Sequence, residues 1–210
     1  MPLNAKITLS NKELSLIGNT EWILLKQKIY DKISMLFSDS SNYLKNEIIP
    51  MYDFPPSALN KPPKISKGEN YRQLPYIVLD YPGYFDRKDI FALRTLFWWG
   101  NFISINLHVA GNYLSGIDLS SLDKDLENDF PLYISVAETQ WEHYFGEDNY
   151  VLCKNLDKDD IHKMSKQKGF LKFALKFDLT DFERMSQNLE KGYKQIARLL
   201  ISYQDDRKGL

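Results

Sequence analysis

Apolar residues recur at helical spacing near both ends of the chain and at strand spacing between them. Trp22, Leu25, Ile29, Ile33 and Leu36 hold one side of a helix, leaving Lys26, Gln27, Lys28, Asp31 and Lys32 mostly outward. Upstream, Ser10 and Glu13 are spaced as a capping box, with Leu9 and Leu14 at the staple positions. This predicts a short helix over 11–17, ended by Gly18, and a longer one capped by Asn19 or Thr20. The polar run 38–41 is expected to interrupt that helix, with a last helical piece over 43–49. Toward the other end, Asp157 caps a helix, with Leu156 and Ile161 as its staple. Thr180 and Glu183 form a second box, opening a helix that carries Phe182, Met185, Leu189, Tyr193, Ile196 and Leu200 on one side.

Between these helices the period changes to two. Residues 74–81 read as a strand stopped by Pro82 and Gly83, and residues 132–136 and 150–153 as short extended pieces around a helical turn at 139–145. Leu171, Phe173, Leu175 and Phe177 alternate with Lys172, Ala174 and Lys176, a strand with one buried face. Five prolines fall between Pro50 and Pro63, so the segment 50–69 is expected to be extended and irregular. The order helices, strands, helices predicts an α+β fold. An antiparallel sheet is built around a central β-hairpin, with the N-terminal and C-terminal helices packed on one face. The expected organisation is a single domain over 1–203 and a frayed tail over 204–210.

The hairpin carries the candidate chemistry. Residues 90–99 and 102–110 flank Gly100-Asn101, which suits a two-residue turn. That turn sets Trp99 opposite Phe102, Phe97 opposite Ser104, Thr95 opposite Asn106 and Leu93 opposite His108. One face then shows Thr95, Ser104, Asn106 and His108 between aromatic walls that include Trp99, as a small-molecule pocket requires. A second packed face, its polar groups satisfied by neighbouring loops, fits the same row. The opposite, nearly apolar face is expected to be the helix-covered core, with Arg94 as its one charged member. A guanidinium keeps its charge, so Arg94 needs an ion-pair partner, for which Asp80 or Glu69 is the candidate. Tyr71 and Arg72, just ahead of a strand in the polar run 67–72, complete the expected ligand-binding set of Tyr71, Arg72, Thr95, Trp99, Asn106 and His108.

Composition narrows the partners. Lys and Arg number 27 against 28 Asp and Glu, a formal charge of −1, which argues against a general grip on nucleic acid or anionic lipid. The single cysteine, Cys153, excludes an intrachain disulfide, and the absence of any long apolar run or signal-like start points to a cytoplasmic chain without membrane association. His108, His143 and His162 lack paired-ligand spacing, and no phosphate loop, nucleotide fingerprint or nucleophile elbow is present, so neither a metal nor a cofactor is expected. With 4 Trp, 13 Tyr and 12 Phe, the chain is rich in aromatic residues. Two functions follow as expectations. One is binding of a small, partly aromatic or apolar ligand on the hairpin face, with an enzyme using His108 as a subordinate version. The other is a protein-interaction module, a homodimer or partner interface through exposed aromatics.

Overall fold

Ser10 caps the first helix as its spacing to Glu13 dictates. Its hydroxyl accepts from the Glu13 amide at 3.3 Å, and the Glu13 carboxylate accepts from the Ser10 amide at 2.7 Å. Helix α1 (Asn11–Ile17) follows, and Asn19 caps α2 (Thr20–Tyr43), accepting from the Trp22 amide. The computed structural model describes residues 7–122 and 129–201; the expected tail lies outside them. The run 38–41 does not break α2. Ser40 and Ser41 turn their hydroxyls onto the carbonyls of Leu36 and Ser38, so neither competes for the helix's own amides. The helix passes into a π turn at Leu44–Ile48.

The segment 50–69 is more ordered than its prolines suggest. It contains a 3-10 turn (Ile49–Met51), a short helix α3 (Pro56–Leu59) and the strand β1 (Lys64–Tyr71). β1 begins after Pro63 and contains no proline, so none of its amides that face β2 (Leu74–Phe85) is missing. Pro82 and Gly83 do not stop β2 either. A bulge between Asp80 and Gly83 takes up the missing donor, and pairing resumes to Phe85. The remaining strands are β3 (Ile90–Trp98), β4 (Phe102–Ala110), β5 (Tyr133–Ser135), β6 (Tyr150–Leu152) and β7 (Phe170–Asp178). Asp157 caps α4 (Lys158–Lys168) by accepting from the Asp160 amide. The box at Thr180 is not used. Asp178 accepts from the Thr180 amide instead, and Asp181 leaves the helical region inside a 3-10 turn that precedes α5 (Met185–Ala197).

The seven strands form one antiparallel sheet in the order β1-β2-β3-β4-β7-β5-β6, with α2 and α5 on one face. No helix among the described residues is long and apolar enough to cross a membrane.

The central hairpin closes with three residues, not two. Gly100 takes a left-handed φ of +70°, open to glycine at no cost, and the Asn101 amide donates to the Trp98 carbonyl. Trp98 therefore pairs with Phe102, Arg94 with Asn106 and Ala92 with His108, one residue away from the expected register. Because side chains alternate, that slip sorts the two strands differently. Phe91, Leu93, Phe97, Ile103, Ile105, Leu107 and Val109 all join the helix-covered core. Arg94 stands instead on the other face, with Ser104, Asn106 and His108.

The core face is closely packed. Tyr30, Ile33 and Phe37 of α2 and Leu189, Tyr193 and Ile196 of α5 meet Leu93, Ile105, Phe173 and Leu175 of the sheet. Full burial of each such side chain contributes about 1.5–3 kcal/mol. Gly192 lets α5 lie directly on the strands; a Cβ there would stand 2.7 Å from Phe177 and 2.9 Å from Ile105.

Candidate functional site

On the face away from α2 and α5, adjacent strands present Asp80, Arg94, Asn106, His108 and Lys172. Residues 136–149, the connection from β5 to β6, fold back over them as a strap. Of the helical turn expected at 139–145 only a turn at Gln140 and Trp141 forms, and the strap's carbonyls are taken by side chains from elsewhere. Lys168 Nζ donates to the carbonyls of Val136 and Ala137, and Lys172 Nζ to those of Gln140, at 3.1 Å, and Glu142.

Each polar group on this face has a partner. Arg94 and Asp80 sit directly opposite each other on β3 and β2 and form a bidentate pair, Nε to Oδ1 at 2.7 Å and Nη2 to Oδ2 at 2.9 Å. Arg94 Nη1 reaches His143 Nε2 of the strap at 3.2 Å, and the other ring nitrogen of His143 lies 3.2 Å from Lys172 Nζ. His108 Nε2 meets Gln140 Oε1 at 2.8 Å. Asn106 donates to Ser104 Oγ and accepts from the Tyr150 hydroxyl. At the edge, the Tyr71 hydroxyl donates to Glu142 and accepts from the amides of His143 and Tyr144 at 2.7 and 3.1 Å. The Arg72 guanidinium lies 3.4 Å from the Tyr144 ring centre.

Six of the residues singled out from sequence thus converge under or beside the strap: Tyr71, Arg72, Asp80, Arg94, Asn106 and His108. Thr95 and Trp99 do not join them. The three-residue turn puts both on the helix side, where the Thr95 hydroxyl bonds that of Tyr193 at 2.6 Å and Trp99 packs edge-on to Tyr30 and Phe97. Sequence reasoning missed Lys172, His143, Gln140 and Tyr150. Lys172 looked like the outward member of an alternating strand, and only the pairing of His108 with Lys172 brings it under the strap.

Burial governs the charges here. Lys172 is 1% exposed, and loss of hydration, with Arg94 nearby, pushes it down to about 7, against a smaller opposing pull from Glu142. Burial likewise pushes His108 down to about 3 and His143 well below the usual imidazole range, in each case with Lys172 adding to the effect. Cys153 is pushed up to about 12 by burial, which leaves it an unreactive thiol at neutral pH.

A cleft of about 730 Å³ opens elsewhere, between Phe130, Leu132, Cys153, Leu156, Gln195 and Leu199. None of the expected ligand-binding residues lines it.

The N-terminal arm differs from the other described elements. Residues 7–25 are all exposed, and α1 buries no residue. Yet the arm is apolar, from Trp22 at 39% exposure to Ile7 at 85%. Four consecutive residues, Trp22, Ile23, Leu24 and Leu25, give a whole helical turn of apolar surface. The arm joins the body at its base, where Trp22 meets Trp99 edge-on and Lys26 pairs with Glu69 at 2.7 Å.

Comparison of the chain with protein-family models, with curated proteins and with solved structures returns no match.

Proposed function

We infer that the chain is a protein-interaction module that associates through its N-terminal helical arm, with a second copy of itself as the partner. The observation that carries this reading is an arm whose apolar side chains are all exposed. Single exposed apolar residues are ordinary, but a contiguous group of them marks a contact surface. Leu14 and Ile17 of α1 and Trp22, Ile23, Leu24 and Leu25 of α2 are all exposed, and a helical turn apolar on all sides, as at 22–25, is one that a partner covers.

The partner's chemistry follows from the arm's own. Between residues 7 and 25 the only charged side chains are Lys12, Glu13 and Glu21, so the surface selects neither a strongly basic nor a strongly acidic partner and does not repel itself. The exposed apolar side chains of the arm present on the order of 1,000 Å², against roughly 800 Å² per partner in a standard interface. A seven-residue helix is also too short to stand alone in water, so α1 gains its order from packing that an isolated subunit does not provide.

Sedimentation equilibrium across roughly 1–100 μM tests the reading. The wild type is expected to dimerise. Leu24→Lys and Ile17→Lys, each at a position with no buried contact, are expected to weaken the dimer at least tenfold without changing the melting temperature of the dilute monomer. A wild type that stays monomeric throughout, or variants that associate as the wild type does, overturns it.

A further inference from the structure

The contacts of Lys172 fix the position of a proton. Arg94 can only donate, so His143 Nε2, 3.2 Å from Arg94 Nη1, is an acceptor, and a neutral ring then carries its hydrogen on Nδ1. That Nδ1–H points at Lys172 Nζ, 3.2 Å away. An ammonium has three donors and no acceptor, and would face the ring hydrogen with another. A neutral amine has two hydrogens and a lone pair: the hydrogens go to the carbonyls of Gln140 and Glu142, and the lone pair accepts from Nδ1–H. Only the neutral amine satisfies every group in the chain Arg94–His143–Lys172.

We propose that Lys172 is held as the unprotonated amine, and that its protonation releases residues 140–144 from the sheet, making the strap a proton-operated lid over the polar face. Taking up a proton turns the contact with His143 from donor–acceptor to donor–donor. It also places two cations on opposite sides of one imidazole. Trp141 is half exposed and meets the His108 ring edge-on, and the strap's other ties here are the Gln140 side chain on His108, Arg94 on His143, the Tyr71 hydroxyl, and Arg72, which lies over the Tyr144 ring and 3.8 Å from Glu142.

The groups facing Lys172 are His108 from β4, Arg94 from β3 with Asp80 behind it on β2, Tyr150 from β6, and Glu142 and His143 from the strap, with Tyr71 of β1 beyond Glu142. Burial holds both histidines far below neutrality and Tyr71 and Tyr150 above their usual range, so these four stay uncharged while Lys172 titrates.

The test reads the His143 tautomer by nitrogen-15 NMR, and the hydrogen exchange of the His143 and Tyr144 amides relative to that of Ile105 in β4. At about pH 8 the Nδ1–H tautomer is expected. Between about pH 8 and about pH 6 the strap amides are expected to lose at least tenfold of their relative protection. Lys172→Met is expected to remove the pH dependence, and Lys172→Arg, which stays charged, to leave the strap unprotected at both values. An Nε2–H tautomer at about pH 8, relative protection that does not change with pH, or the same dependence persisting in Lys172→Met overturns the proposal.

Discussion

On the helix side of the sheet, Leu93, Ile105, Phe173 and Leu175 meet the apolar faces of α2 and α5, with Thr95 and Tyr193 sharing one buried hydrogen bond. On the strap side, Arg94, Asn106, His108 and Lys172 meet backbone carbonyls, amides and imidazole. The first face is held by contacts without direction, each worth about the area it removes from water. The second is held by partners that are costly when one is removed, because the group left behind is buried and unsatisfied. A sheet built this way keeps its stability on one face and leaves the other able to respond to a change in charge.

The strongest challenge to the comparison comes from Arg94. Arg94→Ala strips Asp80 of a bidentate partner and His143 of its donor, and is expected to cost about 3 kcal/mol in urea unfolding. Arg94→Leu combined with Asp80→Asn is expected to recover part of that loss, since no unpaired carboxylate remains. Equal melting of Arg94→Ala and wild type would mean that the strap side contributes nothing through its polar pairs.

Thr95→Val makes the matching change on the helix side. It removes one hydroxyl from an otherwise apolar face and leaves the Tyr193 hydroxyl without that partner, an expected cost of about 1 kcal/mol. A loss as large as that of Arg94→Ala would show that the two faces depend on polar pairing alike.

Local signals were the legible part of this fold. The spacing of Ser10 to Glu13 and the acceptor at Asp157 located helix starts, because capping needs only neighbours in sequence. Alternation over 171–177 located β7 for the same reason. Register was not legible. Gly100-Asn101 fits a two-residue turn and also the last two positions of a three-residue turn, and the choice moves Thr95 and Trp99 away from Asn106 and His108. The expected ligand set therefore divides between two faces. Nor could sequence show the strap, whose carbonyls are held by Lys168 and Lys172 from 30 or more residues away. The apolar arm was visible as a helix, but its exposure is a property of what α1 fails to touch.

The central claim, that Lys172 is a buried neutral amine, is tested most directly by the pH dependence of unfolding free energy in wild type and Lys172→Met. Lys172 stands at about 7 in the folded chain against 10.5 as its ordinary value. Between those values the unfolded chain holds a proton that the folded chain does not, so wild-type stability rises with pH by about 1.4 kcal/mol per unit, and the penalty is fully present below about 7. Cys153 works in the opposite sense above its ordinary value of 9.0, because its folded-state value is raised to about 12, but it does so equally in both proteins. The difference between wild type and Lys172→Met is thus expected to climb steadily from about pH 7 to about pH 9. A difference that stays flat across that range would mean that Lys172 keeps its proton in the folded chain, and would contradict the account.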